Sequence, residues 1–440
     1  MSFTADVQAA AIPAVTGVQA AKICAAWAGS GRFGDHVVYE HADRWSFGGG
    51  RRASVRLTTS ELVVERDGVE VRTPWDGDPS AALGAALDAI DEDGWRLYGW
   101  VGFDFAAAQH GLLDRVPPGT TLAHLVIPEF EATVGVAGID VGTAPPETAA
   151  LLRTLADEVE PLATPCPISV HLDPYGYEDM VATAVGEIER GDYRKVILSR
   201  VVEVPFAVDL PRTYALGRAR NNPARSYLFQ LDDLSAVGFS PELVLAVDAD
   251  RIVQTEPLAG TRALGIGAAA DAEARRELQS DVKEIAEHAM SVRACWEEVE
   301  SVSRPGTTAV SEYMVVKDRG SVQHLASTVR GRLADDLNPW HSFAVAFPSI
   351  TASGIPKTEA LEAIYRLEPL RRNLYSGAVV TASSAGDLEA ALVLRTVFSS
   401  GGRTWLRAGA GIVEQSRPSR EFDETCEKLG SIAPFLVPAR

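Results

Sequence analysis

Two stretches of the chain each carry a pair of glutamates three residues apart, Glu284-Ile-Ala-Glu287 and Glu421-Phe-Asp-Glu424. On a helix that spacing puts both carboxylates of a pair on one face. Taken singly, such a pair is an ordinary solvated surface. Two pairs facing each other would make an all-oxygen site for a hard cation such as Mg2+, able to bridge to an anionic substrate. His288 directly follows the first pair, and Lys428 lies one turn beyond Glu424. Lysine is scarce, with Lys22, Lys195, Lys283, Lys317, Lys357 and Lys428 the only ones among 41 basic residues. Lys195 opens the apolar run Val196-Ile197-Leu198. A partly buried amine there can lose its proton and act as a base, whereas an ordinary strand-end lysine reaches solvent. Arg395, ending the run Ala-Leu-Val-Leu-Arg, reads as a carboxylate clamp or as a surface charge. Gly409-Ala-Gly411 offers backbone amides to an anion or forms a tight bend.

Several other chemistries lack support. The 440 residues hold 60 Asp and Glu against 41 Lys and Arg, a formal charge of -19, which repels nucleic acid phosphates and anionic lipid surfaces. An anionic substrate therefore needs positive charge concentrated locally. There is no Walker A, G-x-S-x-G or H-E-x-x-H pattern, and the eight histidines show no paired metal spacing. Gly29-Ser-Gly-Arg-Phe-Gly34 matches G-x-G-x-x-G, but it follows a helix-like alanine run and reads as a turn. The cysteines at 24, 166, 295 and 426 lie far apart, as expected for reduced thiols. The start of the chain lacks the basic and apolar runs of a signal peptide, and no stretch reaches the ~18 apolar residues of a membrane span. A cytoplasmic protein is expected, with neither a membrane nor a nucleic acid partner.

Long elements must position these groups. One helical signal runs from about Asp271 to Ser301, where Leu278, Val282, Ile285, Ala289, Val292, Trp296 and Val299 draw an apolar seam. Further helices are predicted over Ser80 to Ile90, within Gly142 to Pro167, over Tyr177 to Arg190 and over roughly Ser419 to Ser431. From Val37 onward short strands separated by turns read as antiparallel sheet, including Leu388 to Phe398 as one strand. The fold class is α+β. Residues 1–35 are Ala-rich and are expected to form a loosely attached leader, although Ala20 to Ala28 has the makings of a short helix. Residues 36–440 are expected to form one catalytic domain. Its N-terminal sheet half covers about 36–165, and its C-terminal half, about 166–440, carries the active site.

Nine ordered motifs then combine: Lys195-Val-Ile-Leu-Ser-Arg200, Gly238-Phe-Ser-Pro-Glu242, Thr255-Glu-Pro-Leu-Ala-Gly-Thr-Arg262, Lys283-Glu-Ile-Ala-Glu-His288, Ser321-Val-Gln-His324, Ser353-Gly-Ile-Pro356, Tyr375-Ser-Gly377, Arg407-Ala-Gly-Ala-Gly411 and Glu421 to Lys428. Together they resemble the chorismate-utilising enzymes, most of all those that form salicylate for mycobactin siderophores. The resemblance runs from about Val37 to the C-terminus. It implies an α/β sandwich of two large, mainly antiparallel sheets with helices outside, a bound Mg2+ ion, and chorismate in a cleft between sheets and helices.

The resemblance also assigns roles. Glu287 and Glu424 match direct Mg2+ ligands, with Glu284 and Glu421 completing the site directly or through water. Tyr375, Arg395 and the Gly409 amide match the groups that hold the enolpyruvyl carboxylate, while Gly260, Thr261, His324 and Lys428 line the ring site and Thr351 is a further substrate-binding candidate. In the family mechanism water attacks C2 as the C4 hydroxyl leaves. Lys195 matches the base and Glu242 the acid, and His324 joins them as a catalytic candidate. A neutral lysine and a protonated glutamate both require environments that shift their ordinary ionisation. Anthranilate synthases carry Gln where Lys195 stands, and aminodeoxychorismate synthases carry Lys where Ala259 stands. Water is therefore the implied nucleophile, without a glutamine amidotransferase subunit, and a monomer is expected. The implied products are salicylate and pyruvate formed through isochorismate. Release of isochorismate is the alternative, and a non-catalytic chorismate-binding protein is a third reading that the retained acid, base and glutamates disfavour.

Overall fold

The computed structural model describes residues 16–90, 94–265, 267–319 and 322–440. The first fifteen residues of the expected leader, and Ser321 of one motif, lie outside the described residues. Central strands such as Lys195–Glu203 and Leu388–Leu392 are buried along nearly their whole length, so both faces of the two sheets are covered there. Among the described residues there is a sheet of ten strands, ordered Gly354–Ile355, Lys195–Glu203, Arg403–Ile412, Thr396–Ser400, Leu234–Ser240, Arg225–Leu231, His36–His41, Arg44–Gly49, Phe130–Gly135, Gly138–Asp140. A second sheet of twelve runs from Leu258–Ala263 through Val322–Arg332, Ile252–Thr255, Leu243–Val247, Leu388–Leu392 and Ala378–Ser383 to the strands at 96–101, 121–127, 53–58, 61–66 and 69–74, with Ala309–Arg319 paired on Val322–Arg332. The pairings are antiparallel, as in Ile197 opposite Gly411 and Val379 opposite Trp100.

Aromatic and branched side chains from both sheets, among them Tyr39, Tyr98, Phe229, Val379 and Phe398, fill the space between them. Helices cover the outer faces through two further clusters, one around Trp45, Phe47 and Tyr214 and one around Phe105, Trp340 and Phe343. This is the expected α+β sandwich with helices outside. Strands from residues 36–140 enter both sheets, so the first part of the chain does not form a sheet of its own. Among the described residues no helix is long and apolar enough to cross a membrane.

Three expectations are corrected. The leader is not loose after Thr16. That residue caps a helix, Gly17–Gly29, by accepting from the Gln19 amide, and Ala20, Ala21, Cys24 and Trp27 are fully buried. The Trp27 indole donates to the Leu152 carbonyl at 2.8 Å. Small alanines let this helix approach the sheet closely, which a composition reading takes for weak structure.

The long helix is two, Ala268–Ser280 and Val282–Val302. Asp281 takes an extended backbone between them and caps the second by accepting from the Lys283 and Glu284 amides. Of the proposed seam, Val282 is 80% and Trp296 38% exposed. The buried face instead runs through His288, Ser291, Val292, Cys295, Val299 and Val302, because His288 meets Ser327 at 2.7 Å and polar packing leaves no hydropathy signal.

The strand expected over Leu388 to Phe398 also divides. Leu388–Leu392 belongs to the twelve-stranded sheet and Thr396–Ser400 to the ten-stranded one, with Arg395 at φ 51 in the crossing. A second crossing, Pro241-Glu242, joins Leu234–Ser240 to Leu243–Val247. The two crossings bond to each other: the Leu392 amide donates to the Glu242 carbonyl at 3.1 Å and the Phe239 amide to the Arg395 carbonyl at 3.2 Å.

Candidate active site

Beside these crossings lies a cavity of about 110 Å3. It is lined by Lys195, Glu242, Gly260, Thr261, His324, Thr351, Tyr375, Arg395, Gly409 and Lys428, with Glu287 and Glu424. Glu284 and Glu421 are not among its lining residues.

Lys195 stands at the start of its strand, 2% exposed, with its ammonium 2.8 Å from Glu287. It does not reach solvent. Gly411, opposite Ile197 on the neighbouring strand, leaves room for this pair, since a methyl there would come within 3.1 Å of the Glu287 carboxylate and 3.3 Å of Lys195 Cε. Across the fold, the Glu242 carboxyl accepts from the Thr351 hydroxyl at 2.6 Å and the Leu258 amide at 3.4 Å. Burial pushes its ionisation up to about 8, so it holds its proton at neutral pH.

His324 touches Arg395 through Nε2 at 2.8 Å and the Gly260 carbonyl through Nδ1 at 3.0 Å. A guanidinium only donates, so Nε2 is the acceptor and Nδ1 carries the proton. Burial, with Arg395 beside it, lowers the ring's pKa to about 3 and keeps it neutral. In this state His324 orients Arg395. Arg395 itself is brought down to about 10 by burial and remains a cation. Among the described residues no carboxylate is within ion-pair distance of it, which suits a buried group meant for an external anion.

Tyr375 is buried between two guanidinium groups, Arg372 at 5.8 Å and Arg407 at 5.6 Å from its ring centre. Glu368, absent from the sequence reading, accepts from both at 2.7 and 2.5 Å and from the Ser199 amide at 2.8 Å. Its isolated acidic position at a helix end gave no periodic signal. Lys428 donates to the Gly409 carbonyl and pairs with Glu424, each at 2.8 Å. Burial favours the neutral form of Glu424, but Lys428 outweighs it and holds the carboxyl below its ordinary range.

The outer glutamates have partners that sequence reasoning missed, Arg262 at 3.3 Å from Glu284 and Lys283 at 3.8 Å from Glu421. Burial and the neighbouring glutamate raise both outer carboxyls. Among the described residues no group of three or more acidic, histidine or cysteine side chains is gathered tightly enough to hold a metal alone. Glu287 and Glu424 both face the cavity, and carboxylate oxygens are the donor type that could hold a hard divalent cation together with water or substrate.

Residues 36–434 match the family described as chorismate binding enzymes. The chain belongs to this family. It is similar to a salicylate synthase of Mycolicibacterium paratuberculosis, 48% identical over 404 residues that span 92% of this chain and 90% of that protein. The crystal structure of anthranilate synthase component I from Streptococcus pneumoniae superposes with a TM-score of 0.72 at 26% identity, covering 89% of this chain and 92% of its own. The menaquinone-specific isochorismate synthase MenF of Escherichia coli shares the fold, with a TM-score of 0.71 at 20% identity over 93% and 90% of the two chains. This chorismate-binding protein is an enzyme acting on chorismate.

Proposed function

We propose that the protein is a Mg2+-dependent, cytoplasmic salicylate synthase for siderophore assembly, working as a single catalytic unit and a monomer without an amidotransferase subunit. The observation that carries this reading is the pairing in one cavity of a buried lysine, Lys195, with a buried glutamic acid protonated at neutral pH, Glu242. Ala259 in the same lining leaves no amine for a covalent adduct.

Lys195 takes the proton from the water that attacks C2 of chorismate, and Glu242 protonates the departing C4 hydroxyl, so that isochorismate forms with no net change in atoms. Thr351 and the Leu258 amide hold the Glu242 carboxyl in place. Arg395, Tyr375 and Gly409 hold the enolpyruvyl carboxylate, and Gly260, Thr261, His324 and Lys428 border the ring. Glu287 and Glu424, with Glu284 and Glu421 behind them, would hold Mg2+, which supplies charge neutralisation at the ring carboxylate. Glu287 would then be shared between the ion and the Lys195 side chain. With the enolpyruvyl group clamped, its methylene carbon takes the C2 hydrogen as the C–O bond breaks. This leaves salicylate and pyruvate and needs no further catalytic side chain.

Purified protein given isochorismate and Mg2+ is expected to yield equal amounts of salicylate, followed by fluorescence, and pyruvate, followed with lactate dehydrogenase. EDTA is expected to stop both. Isochorismate accumulating from chorismate with neither product appearing would make isochorismate release the activity.

A further inference from the structure

Every carboxylate of the two glutamate pairs has its own protein cation. At the cavity these are Lys195 with Glu287 and Lys428 with Glu424, both at 2.8 Å. Behind them stand Arg262 with Glu284 at 3.3 Å and Lys283 with Glu421 at 3.8 Å. Lys195 and Lys428 line the cavity and can serve the substrate as well, whereas Arg262 and Lys283 are not among its lining residues. Arg262 is shared with Asp281 at 2.9 Å and Glu277 at 3.7 Å. Lys283 reaches from the first turn of helix Val282–Val302 to the first turn of helix Pro418–Leu429, and so sets a positive charge between the two helices that carry all four glutamates.

We propose that Lys283 is a counter-cation that competes with the divalent ion for Glu421, weakening the protein's hold on that ion while keeping the two helices together without it. The proposal rests on the Mg2+ reading above. Two cations on one carboxylate repel each other, so each weakens the hold on the other. The side chain of Glu421 is 2% exposed and fixed, while that of Lys283 is 39% exposed and can swing into water at little cost. The exchange is therefore one-sided, and the lysine moves. A residue that merely positioned Glu421 would act in the opposite direction, because its removal would loosen the ligand and weaken binding.

The test is Mn2+ binding to the full-length protein, read by calorimetry and by the electron paramagnetic resonance signal of free Mn2+, for wild type, Lys283→Met, Lys283→Arg and the remote control Lys22→Met. Lys283→Met is expected to bind Mn2+ about three- to tenfold more tightly. Its melting temperature in EDTA should fall while that with saturating Mn2+ stays at the wild-type value, and the Arg variant and the control should match wild type in both. Normal wild-type binding with an unchanged or weakened Kd in Lys283→Met overturns this inference alone. Wild-type protein that takes up no Mn2+ overturns the Mg2+ reading and this inference with it.

Discussion

Replacing Glu242 with glutamine separates its charge from its shape. The amide still accepts from Thr351 and the Leu258 backbone, but it cannot ionise. Burial moves the carboxyl from 4.5 to about 8 in the folded protein. One pH unit of such a difference corresponds to about 1.4 kcal/mol, so ionising Glu242 in place is disfavoured by about 5 kcal/mol. The folded state holds this proton more tightly than the unfolded chain. Its contribution is therefore fully present below pH 4.5 and is lost as pH rises through about 8. Between pH 5 and pH 8 the wild type should lose about 3.5 kcal/mol from this group alone, and the loss should level off above pH 9. Glu242→Gln should show none of that loss. Urea unfolding of both proteins at pH 5, 6.5, 8 and 9 reads the difference directly, as a stability gap that grows in favour of glutamine. Parallel curves, with a gap that changes by less than about 1 kcal/mol, would falsify the buried-acid assignment, whatever the variant's activity. The same ionisation predicts that wild-type kcat declines as pH rises through about 8, when the acid that protonates the C4 hydroxyl is lost.

Lys195→Ala should fold normally by circular dichroism and lose about 10²- to 10⁴-fold of isochorismate formation, and a rate near wild type would return Lys195 to a packing role. Glu287→Gln and Glu424→Gln should each need much higher Mg2+ for half-maximal turnover, so an unchanged Mg2+ profile in both variants would count against the glutamate site. Trp27→Ala removes a fully buried indole and its bond to Leu152, and should lower unfolding free energy by about 3–5 kcal/mol. Unaltered stability would restore the view of residues 17–29 as a detachable leader.

Much of the local order could be read directly. The helix predicted over Tyr177 to Arg190 is found with those bounds, and Gly191, in the left-handed region, stops it through local sterics alone. The chemistry-bearing residues were legible for a related reason. Lys195, Glu242, Glu287 and Glu424 sit in short contiguous motifs that the family resemblance singled out, and the structure brings all four to one cavity. Periodicity reports only which residues are apolar, so it drew the wrong seam on Val282–Val302, where His288 and Ser291 are buried by polar packing. Alternation reports strand but not sheet, so it missed that the chain changes sheets at Glu242 and again at Arg395.

The sequence by itself determined an antiparallel α+β chain and the groups able to carry acid, base and cation chemistry. Only the tertiary structure decided that the two crossings bond to each other, setting on one cavity a buried neutral acid and a guanidinium that meets no carboxylate among the described residues. It also decided which lysine or arginine meets each glutamate, and that Glu284 and Glu421 stand behind the lining. Ion pairing and desolvation depend on distances between segments remote in the chain, and those distances exist only once both sheets have closed over their shared core.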